Sequence, residues 1–315
     1  MKNVVVIGGS GAEEVVKGLN VAGLNECVQP SLDKPDLLRF GYEGLNILFA
    51  LRHGKNHTKD PARLEPKHLA EILAYFVEPE ETLVIQTSAS GSLDTSIDLV
   101  DEGGIVVCND VMRGFGFKGS SRSIVEPKIV HAVMKGAYSE RARELAMDAI
   151  EKVPGATAYD GGIYINNEGN QFESPAEVAA LYAWLDTPRF RLQQLNNQRN
   201  LWNLVNISSL GWQGDSYVPI DAIDKEFSIY EKLAENLSVR YAQLSMNAAK
   251  ELEPLVETGF KDIVLLAFPV NYGVGLVPDE QVDHERTEKA IGNAVKPYIV
   301  PTLMNMIRMA PEYIK

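Results

Sequence analysis

Short apolar runs that alternate with helical stretches are the feature that most constrains the fold of this chain. Strands are predicted at Val4–Ile7, Leu45–Leu51, Thr82–Thr87, Gly104–Asn109, Gly162–Asn166 and Asp262–Pro269. Helices are predicted at Ala12–Leu19, Pro66–Phe76, Ser139–Val153, Pro175–Trp184 and Asp283–Met309. The last helix contains Pro297 and Pro301, where kinks are expected. This alternation predicts an α/β fold, a single domain whose mixed, largely parallel sheet is flanked by helices.

One segment, Asp186–Glu235, departs from this alternation. It is rich in Asn and Gln and contains Trp202, Trp212 and Tyr217. We interpret it as an inserted segment, with some structure of its own, in one domain that spans residues 1–315. Its aromatic residues are candidates for a lid, a subunit interface or a small packing cluster.

The composition excludes several classes of partner. With 315 residues, 45% hydrophobic and 23% charged, the chain has globular values. A net charge of −13 argues against general binding to nucleic acid or to an anionic membrane surface, so an anionic small ligand would need a local positive pocket. Cys27 and Cys108 give neither a disulfide framework nor metal-ligand spacing, and the apolar run at the start is too short for a signal peptide. We therefore expect a cytoplasmic protein without a metal or organic cofactor.

Two polar segments that follow predicted strands indicate a site for an oxyanion. Arg52-His53-Gly54-Lys55-Asn56-His57-Thr58 comes directly after one strand, and Thr87-Ser88-Ala89-Ser90-Gly91-Ser92-Leu93 forms a hydroxyl-rich, glycine-containing turn after another. A guanidinium group together with the backbone amides of small residues is suited to holding a phosphate-sized anion. In parallel sheets, ligands bind at the carboxyl ends of the strands. The sequence therefore predicts an anion site at that edge of the sheet.

The glycine-rich segment Gly8-Gly9-Ser10-Gly11 allows three interpretations. It could bind a dinucleotide, but it lacks the third glycine of that fingerprint, and Glu13 and Glu14 would repel a pyrophosphate. It could be a tight turn without a ligand. We favour a third interpretation, in which the Ser10 hydroxyl and nearby backbone amides receive a small phosphate.

In their order along the chain, these blocks resemble the trimeric purine nucleoside phosphorylase and 5′-methylthioadenosine phosphorylase family. Three further blocks support the resemblance, which covers most of the chain outside Asp186–Glu235. They are Glu168-Gly169-Asn170-Gln171-Phe172-Glu173-Ser174-Pro175-Ala176-Glu177, Leu244-Ser245-Met246-Asn247 and Phe268-Pro269-Val270-Asn271-Tyr272. The resemblance implies a nucleoside phosphorylase-like fold and a pentosyltransferase that splits purine nucleosides with phosphate as co-substrate.

The resemblance also implies roles for residues at the anion end of the site. The residues expected to hold phosphate are Ser10, Arg52, His53, Ser88, Ala89 through its backbone amide, and Asn247. His57 would lie near the junction of phosphate and ribose. Asn247 replaces the hydroxyl residue of the family's Met-Ser/Thr-Thr-Val-Pro-Glu motif, and its bulkier amide can still donate to an anion.

A second set of residues would bind the nucleoside. Phe172 would stack on the purine and Met246 would pack under the ribose, although either residue alone would be an ordinary core residue. Glu173 would accept from N1–H and from an exocyclic amine, unless it only favours the N-terminus of the next helix. Asn271 would donate to N7 of the leaving base. The adenine-selective branch has Asp there and a second acid two residues later, where this chain has Gly273, so 6-oxopurines are favoured.

Two further histidines match blocks of the family. His284 would lie at the 5′ end of the nucleoside, where a buried imidazole favours a 5′-hydroxyl over a methylthio group. His131 would be donated to the site of a neighbouring subunit, and this implies a homotrimer. A structural role for His131 and His284 is the competing interpretation.

Three functions remain open from the sequence. The first is phosphorolysis of 6-oxopurine nucleosides to the free base and ribose 1-phosphate. The second is a related nucleosidase or glycosyl-transferring enzyme for a modified nucleoside, which Asn247 and the inserted segment motivate. The third is a non-catalytic nucleoside-binding protein, although a complete anion site argues against it. Under the first function, Arg52→Ala is expected to abolish phosphorolysis and leave folding intact.

Overall fold

The computed structural model describes residues 2–27, 36–55, 58–59, 64–113, 132–167, 172–207, 220–236, 240–280 and 282–313. The chain divides into two compact units, one of residues 1–178 with 240–315 and one of residues 179–239. The first unit contains the sheet, and the described residues of the second are largely helical. The predicted segment Asp186–Glu235 lies within the second unit. That this segment is an insertion stays a prediction.

Eleven strands in the described ranges form one mixed sheet. They are β1 (Asn3–Gly8), β2 (Asn25–Cys27), β3 (Leu37–Tyr42), β4 (Leu45–Leu51), β5 (Thr82–Ser92), β6 (Gly104–Cys108), β7 (Asp110–Arg113), β8 (Thr157–Asp160), β9 (Ile163–Asn166), β10 (Gln243–Ser245) and β11 (Asp262–Tyr272). Strands β2, β3, β4, β1 and β5 are neighbours in that order. Parallel pairs outnumber antiparallel ones, which confirms the predicted fold class.

The strand order branches at β5, which pairs with β1, β10 and β11 and carries the second polar segment. The first half of β5 pairs in parallel with β1, and nearly its whole length pairs in parallel with β11. Beyond the end of β1, Gly91 and Ser92 pair with β10 instead. One branch then continues from β11 through β6 to β8, and the other from β10 through β9 to β7. The two branches meet next to the polar end of β5.

Helices cover both faces of the sheet. The α-helices in the described ranges are α1 (Ala12–Val21), α2 (Pro66–Phe76), α3 (Glu140–Glu151), α4 (Pro175–Ile207), α5 (Ile220–Asn236), α6 (Ala248–Glu257), α7 (His284–Ala294) and α8 (Val300–Tyr313). Side chains alternate between the faces because successive strand residues point in opposite directions. Val4 and Val6 join a core with α1, α3, α7 and α8, whereas Val5 and Ile7 join a core with α2 and α6.

Two strand predictions were too short, and the second polar segment is not a turn. Strand β5 was predicted to end at Thr87 but continues to Ser92, because β10 and β11 supply hydrogen-bonding partners for the hydroxyl-rich stretch. Strand β11 continues past Pro269 to Tyr272, with an irregular register between Pro269 and Asn271. A bulge at this point tolerates the proline.

The helix predictions differ mainly in their ends. The helix from Pro175 was expected to stop at Trp184 but continues to Ile207 with Pro188 inside it. The predicted helix Asp283–Met309 is α7 and α8 joined by the π-helical turn Val295–Ile299, which contains Pro297. Sequence analysis missed the short strands β2, β3, β7, β8 and β10 and the helices α5 and α6. No helix in the described part of the chain is long and apolar enough to cross a membrane.

The core on the α8 side allows a test of the packing. Leu303 in α8 is fully buried, whereas Val21 at the end of α1 is 90% exposed. Leu303→Ala is expected to lower the free energy of unfolding by about 2–5 kcal/mol, because it removes buried methyl groups and leaves a cavity. The matched change Val21→Ala should alter it by less than about 0.5 kcal/mol. Urea unfolding measures both, and equal effects would contradict this packing.

Candidate active site

A cavity of about 520 Å³ lies at the carboxyl ends of β1, β4, β5, β10 and β11. Its walls bring together all the predicted site residues that fall within the described ranges. These residues are Ser10, Arg52, His53, Ser88, Ala89, Phe172, Glu173, Met246, Asn247, Asn271 and His284. The two remaining predicted residues, His57 and His131, lie outside the described residues.

The turn after β1 and the turn after β4 place Arg52. The backbone N–H of Arg52 donates to the Gly8 carbonyl at 3.0 Å, which holds the two strand ends together. A Cβ atom on Gly9 would lie 2.7 Å from Arg52 Nη1, so a side chain at position 9 would push the guanidinium aside. The glycine-rich segment thus makes room for the arginine, while Ser10 lines the cavity.

Arg52 forms a buried ion pair with Glu251 of α6. Arg52 Nε lies 2.5 Å from Glu251 Oε1 and Nη2 lies 2.9 Å from Oε2, and the two side chains are only 2% and 4% exposed. Gln86 Nε2 also donates to Glu251 Oε2, at 2.9 Å. Burial alone would lower the pKa of the Arg52 guanidinium, but the charge and hydrogen bonds of Glu251 raise it above its usual value.

This pair limits what Arg52 can give to a ligand. Of its five N–H donors, two bind Glu251 and one donates to the Thr87 carbonyl at 3.0 Å, so two remain for an anion. Arg52→Ala would leave the Glu251 carboxylate buried without its cation, which is strongly destabilising. Arg52→Ala is therefore expected to lower stability, contrary to the prediction from the sequence that folding stays intact.

A cluster of hydroxyl groups lies at the same end of the cavity. Ser88 Oγ is 2.9 Å from Tyr164 Oη and 3.1 Å from Ser245 Oγ. Ser245 Oγ donates to the Ala89 carbonyl at 2.8 Å, and Tyr164 Oη accepts from the Ala248 backbone N–H at 3.2 Å. Burial raises the pKa of Tyr164, so its hydroxyl stays protonated. Rotatable hydroxyl groups of this kind can turn to donate to an anion.

Three further polar side chains border the anion end. His53 is buried, and its Nδ1 lies 3.3 Å from the Lys59 carbonyl. Lys59 also lines the cavity, and its ammonium group pairs with Asp36 at 2.5 Å. Asn247 stands at the N-terminus of α6 but makes no capping hydrogen bond with its side chain, which lines the cavity.

Glu173 and Asn271 lie in the wall of the same cavity, with Phe172. Asn271 is buried, and its Nδ2 donates to the Tyr272 carbonyl at 2.5 Å, so its second N–H and its oxygen can still bind a ligand. Burial raises the pKa of the half-buried Glu173 carboxyl. Phe172 is 37% exposed, so it is not an ordinary core residue.

Glu173 does not cap the helix that follows it. Ser174 and Glu177 form that cap, because the Ser174 backbone N–H donates to Glu177 Oε2 at 2.8 Å and Ser174 Oγ donates to the same oxygen at 2.9 Å. The carboxylate of Glu173 instead accepts from Asn167. The interpretation that Glu173 favours the start of α4 through the helix dipole stays open.

His284 lines the cavity but is not buried. Its side chain is 59% exposed, and Nε2 lies 3.2 Å from Glu288 Oε1. The argument that a buried imidazole favours a 5′-hydroxyl therefore does not apply in this structure. Met246 is half-buried in the cavity wall, and its role beneath the ribose stays a prediction.

Sequence analysis missed Glu251, Tyr164 and Ser245. A signal for Glu251 was present, since it lies on the apolar face of α6 with the buried Ala248 and Leu255, three and four residues away. A charged residue on a buried face needs a partner of opposite charge. Tyr164 lies between two isoleucines in β9, and only the pairing of β9 with β10 reveals that its hydroxyl reaches Ser88.

Comparison with curated proteins gives relatives for part of the chain, although no model of a protein family matches it. A probable S-methyl-5′-thioinosine phosphorylase of Methanothermobacter thermautotrophicus is 30% identical over 173 residues, which cover 55% of this chain and 57% of the relative. A probable 6-oxopurine nucleoside phosphorylase of Thermococcus kodakarensis is 28% identical over 187 residues, covering 58% and 67%. The chain thus spans little more than half the length of the first relative.

Solved structures show the same fold over almost the whole chain. The methylthioadenosine phosphorylase of Schistosoma mansoni in complex with adenine superposes with a TM-score of 0.65 at 16% identity, covering 99% of this chain and 93% of that one. The same organism's methylthioadenosine phosphorylase in complex with tubercidin gives a TM-score of 0.62 at 15% identity, covering 99% and 93%. The chain therefore has the α/β fold of the nucleoside phosphorylases. With its curated relatives, this confirms the family resemblance predicted from the motifs.

The buried ion pair predicts how the protein responds to loss of one charge. Glu251→Gln is expected to lower the free energy of unfolding by about 3–5 kcal/mol, because the Arg52 guanidinium stays buried without a counter-charge. Glu80→Gln is the matched control, since Glu80 pairs with Lys261 at 2.6 Å but is 73% exposed. That control should change little. Urea unfolding measures the free energy of unfolding of both variants. Equal losses of stability in the two would contradict a buried ion pair.

Proposed function

We propose that this protein catalyses phosphorolysis of purine nucleosides, with a preference for 6-oxopurines, to the free base and ribose 1-phosphate. The observation that carries the proposal is the single cavity lined by both the anion-binding and the base-binding residues. Their convergence at the carboxyl ends of the strands is the arrangement that phosphorolysis requires. The names of the two curated relatives support the same chemistry.

In the proposed reaction, a phosphate oxygen attacks C1′ as the bond from C1′ to N9 breaks. The purine leaves with the electron pair of that bond, and negative charge builds on its imidazole ring. The remaining N–H of Asn271 Nδ2 would donate to N7 and stabilise this charge most strongly in the transition state. The bound phosphate dianion stabilises the positive charge that develops on the ribose.

The anion end would hold phosphate by directed hydrogen bonds more than by net charge. Arg52 brings two N–H donors, and the hydroxyl groups of Ser10 and Ser88 add more, with the Ala89 backbone amide and His53 beside them. Ser245 lies beside Ser88 and offers a hydroxyl in place of the one that Asn247 lacks. Hydrogen bonds to a charged oxygen are the strong kind. Phosphate is the only co-substrate proposed, with no metal or organic cofactor.

Base selectivity would come from Asn271 and from the space around Gly273. A Cβ atom on Gly273 would lie 3.1 Å from Val178 and 3.2 Å from Leu93, so the acid that the adenine-selective branch carries there would be crowded. An amide at position 271 can serve a 6-oxopurine. The two curated relatives named above, a 6-oxopurine phosphorylase and a thioinosine phosphorylase, are consistent with this preference.

A homotrimer is part of the proposal. His131 would reach the site of a neighbouring subunit and His57 would lie between phosphate and ribose, as the family resemblance implies. Both residues lie outside the described ranges, and their roles rest on the motif match alone.

A hydrolase is the second candidate, and Asn247 favours it. An amide in place of a hydroxyl at the anion end could weaken phosphate binding and let water attack C1′ instead. The two candidates differ in their need for phosphate.

The test is release of free base from inosine, guanosine, adenosine and 5′-methylthioadenosine, each with and without phosphate. Phosphate-dependent release from a 6-oxopurine nucleoside is expected. Release at equal rates without phosphate would establish the hydrolase, and no release from any of the four would overturn the proposal.

Ser88→Ala should raise the KM for phosphate about tenfold, the effect of one hydrogen bond to an anion. The exposed Ser96→Ala is its control.

Asn271→Asp tests the role of the base-reading amide. A carboxylate accepts from the 6-amino group of adenine and repels O6 of hypoxanthine, so the inosine-to-adenosine ratio of kcat/KM should fall about tenfold or more. Steady-state kinetics on the two nucleosides measure this ratio. An unchanged ratio in a folded variant would mean that Asn271 does not read the base.

A further inference from the structure

The carboxylate of Glu173 is held by a neighbour that stands outside the cavity. Asn167 Nδ2 donates to Glu173 Oε1 at 2.6 Å. Glu173 lines the cavity, whereas Asn167 is not among the described residues of its wall. The amide of a residue outside the described wall therefore already occupies part of the acceptor capacity of Oε1.

Asn167 is itself fixed to the sheet. It directly follows β9, and its backbone N–H donates to the Ser245 carbonyl at 2.8 Å. The preceding residue, Asn166, pairs with Ser245 in the register of β9 and β10. The amide thus starts from a rigid strand end and sets the orientation of a carboxylate that stands just before α4.

The orientation of the carboxylate decides how many donors a base can place on it. Because Oε1 already accepts from Asn167, Oε2 is the oxygen with more acceptor capacity left for a ligand. The corresponding edge of hypoxanthine carries one donor, N1–H, whereas that of guanine carries two, N1–H and the 2-amino group. The second donor of a guanine would compete with Asn167 for Oε1, and a poorly satisfied donor is costly in a desolvated pocket.

We propose that Asn167 is a positioning residue that makes Glu173 a one-oxygen acceptor and so selects hypoxanthine nucleosides over guanine nucleosides. This rests on the proposed function, since it assumes that Glu173 reads the base. It goes beyond that proposal by naming the base.

The same contact contributes to the pKa of Glu173. Burial raises the pKa of the carboxyl, and hydrogen bonds from its own backbone and from Asn167 lower it in part. Glu173 must be ionised to accept from N1–H. Activity is therefore lost as the pH falls through the raised pKa, and removal of the amide moves that loss to higher pH.

The experiment compares inosine with guanosine in the presence of phosphate for the wild type, Asn167→Ala and Ser174→Ala. The wild type should have a kcat/KM about tenfold higher for inosine, the effect of one unmatched hydrogen bond. Asn167→Ala frees Oε1, so the ratio should approach one. Ser174→Ala removes the cap of α4 but keeps the contact from Asn167, so it should retain the wild-type ratio while controlling for a loosened segment.

The pH profile gives a readout that a merely structural role would not change. The acid limb of kcat/KM for inosine should lie at higher pH in Asn167→Ala than in the wild type. It should lie higher still in the nearly isosteric Asn167→Asp, which sets a second carboxylate beside Glu173. The inference would be overturned if Asn167→Ala left either the acid limb or the inosine-to-guanosine ratio of kcat/KM unchanged. It would also be overturned if Ser174→Ala changed that ratio as much as Asn167→Ala does.

Binding of the free bases separates failure of this inference from failure of the proposed function. If neither nucleoside is cleaved, phosphorolysis is wrong, but calorimetry with hypoxanthine and guanine still measures the selection. The wild type should bind hypoxanthine about tenfold more tightly, and Asn167→Ala should lose that preference. Equal affinities in the wild type, or no binding of either base, would overturn the role of Asn167.

Discussion

The ion pair between Arg52 and Glu251 is the interaction on which the rest of the site depends. It joins the turn after β4 to helix α6, while the Arg52 backbone binds the end of β1 and its guanidinium binds a carbonyl of β5. Four elements therefore meet at one buried charge. Replacing such a pair with apolar residues can be neutral, but removing one partner is costly, so the two residues act as a unit.

The same pair sets what the anion end can do. Because Glu251 balances the charge of Arg52, the cavity offers a ligand two remaining guanidinium donors and a group of hydroxyls. At the other end, the Glu173 carboxyl accepts a hydrogen bond from Asn167. Donors at one end of the cavity and acceptors at the other are suited to a ligand that bridges an anion and a purine.

Sequence patterns predicted the strands that supply the site and most of the residues in its wall. The helix predicted at Ser139–Val153 is found as α3, Glu140–Glu151. The polar end of β5 was predicted as a turn because serines and glycines disfavour strands. The pairing of β5 with β10 and β11 overrides that preference, and such pairings between distant segments leave no local signal. The short edge strands were missed for the same reason.

The role of Glu251 was hidden for a related reason. The partner that makes it important lies far away in the sequence, at Arg52. The contact between Asn167 and Glu173 is close in the sequence, yet it depends on how β9 ends beside β10. Sequence patterns thus identified the polar residues that lie together at the site. Only the structure shows which of their hydrogen-bonding atoms are still available to a ligand.

The most direct test of the central claim is to follow inosine and phosphate by ³¹P NMR in the presence of the protein. The account predicts ribose 1-phosphate in an amount equal to the hypoxanthine released. Hypoxanthine accompanied by free ribose, with the phosphate signal unchanged, would contradict it, and so would the absence of any product.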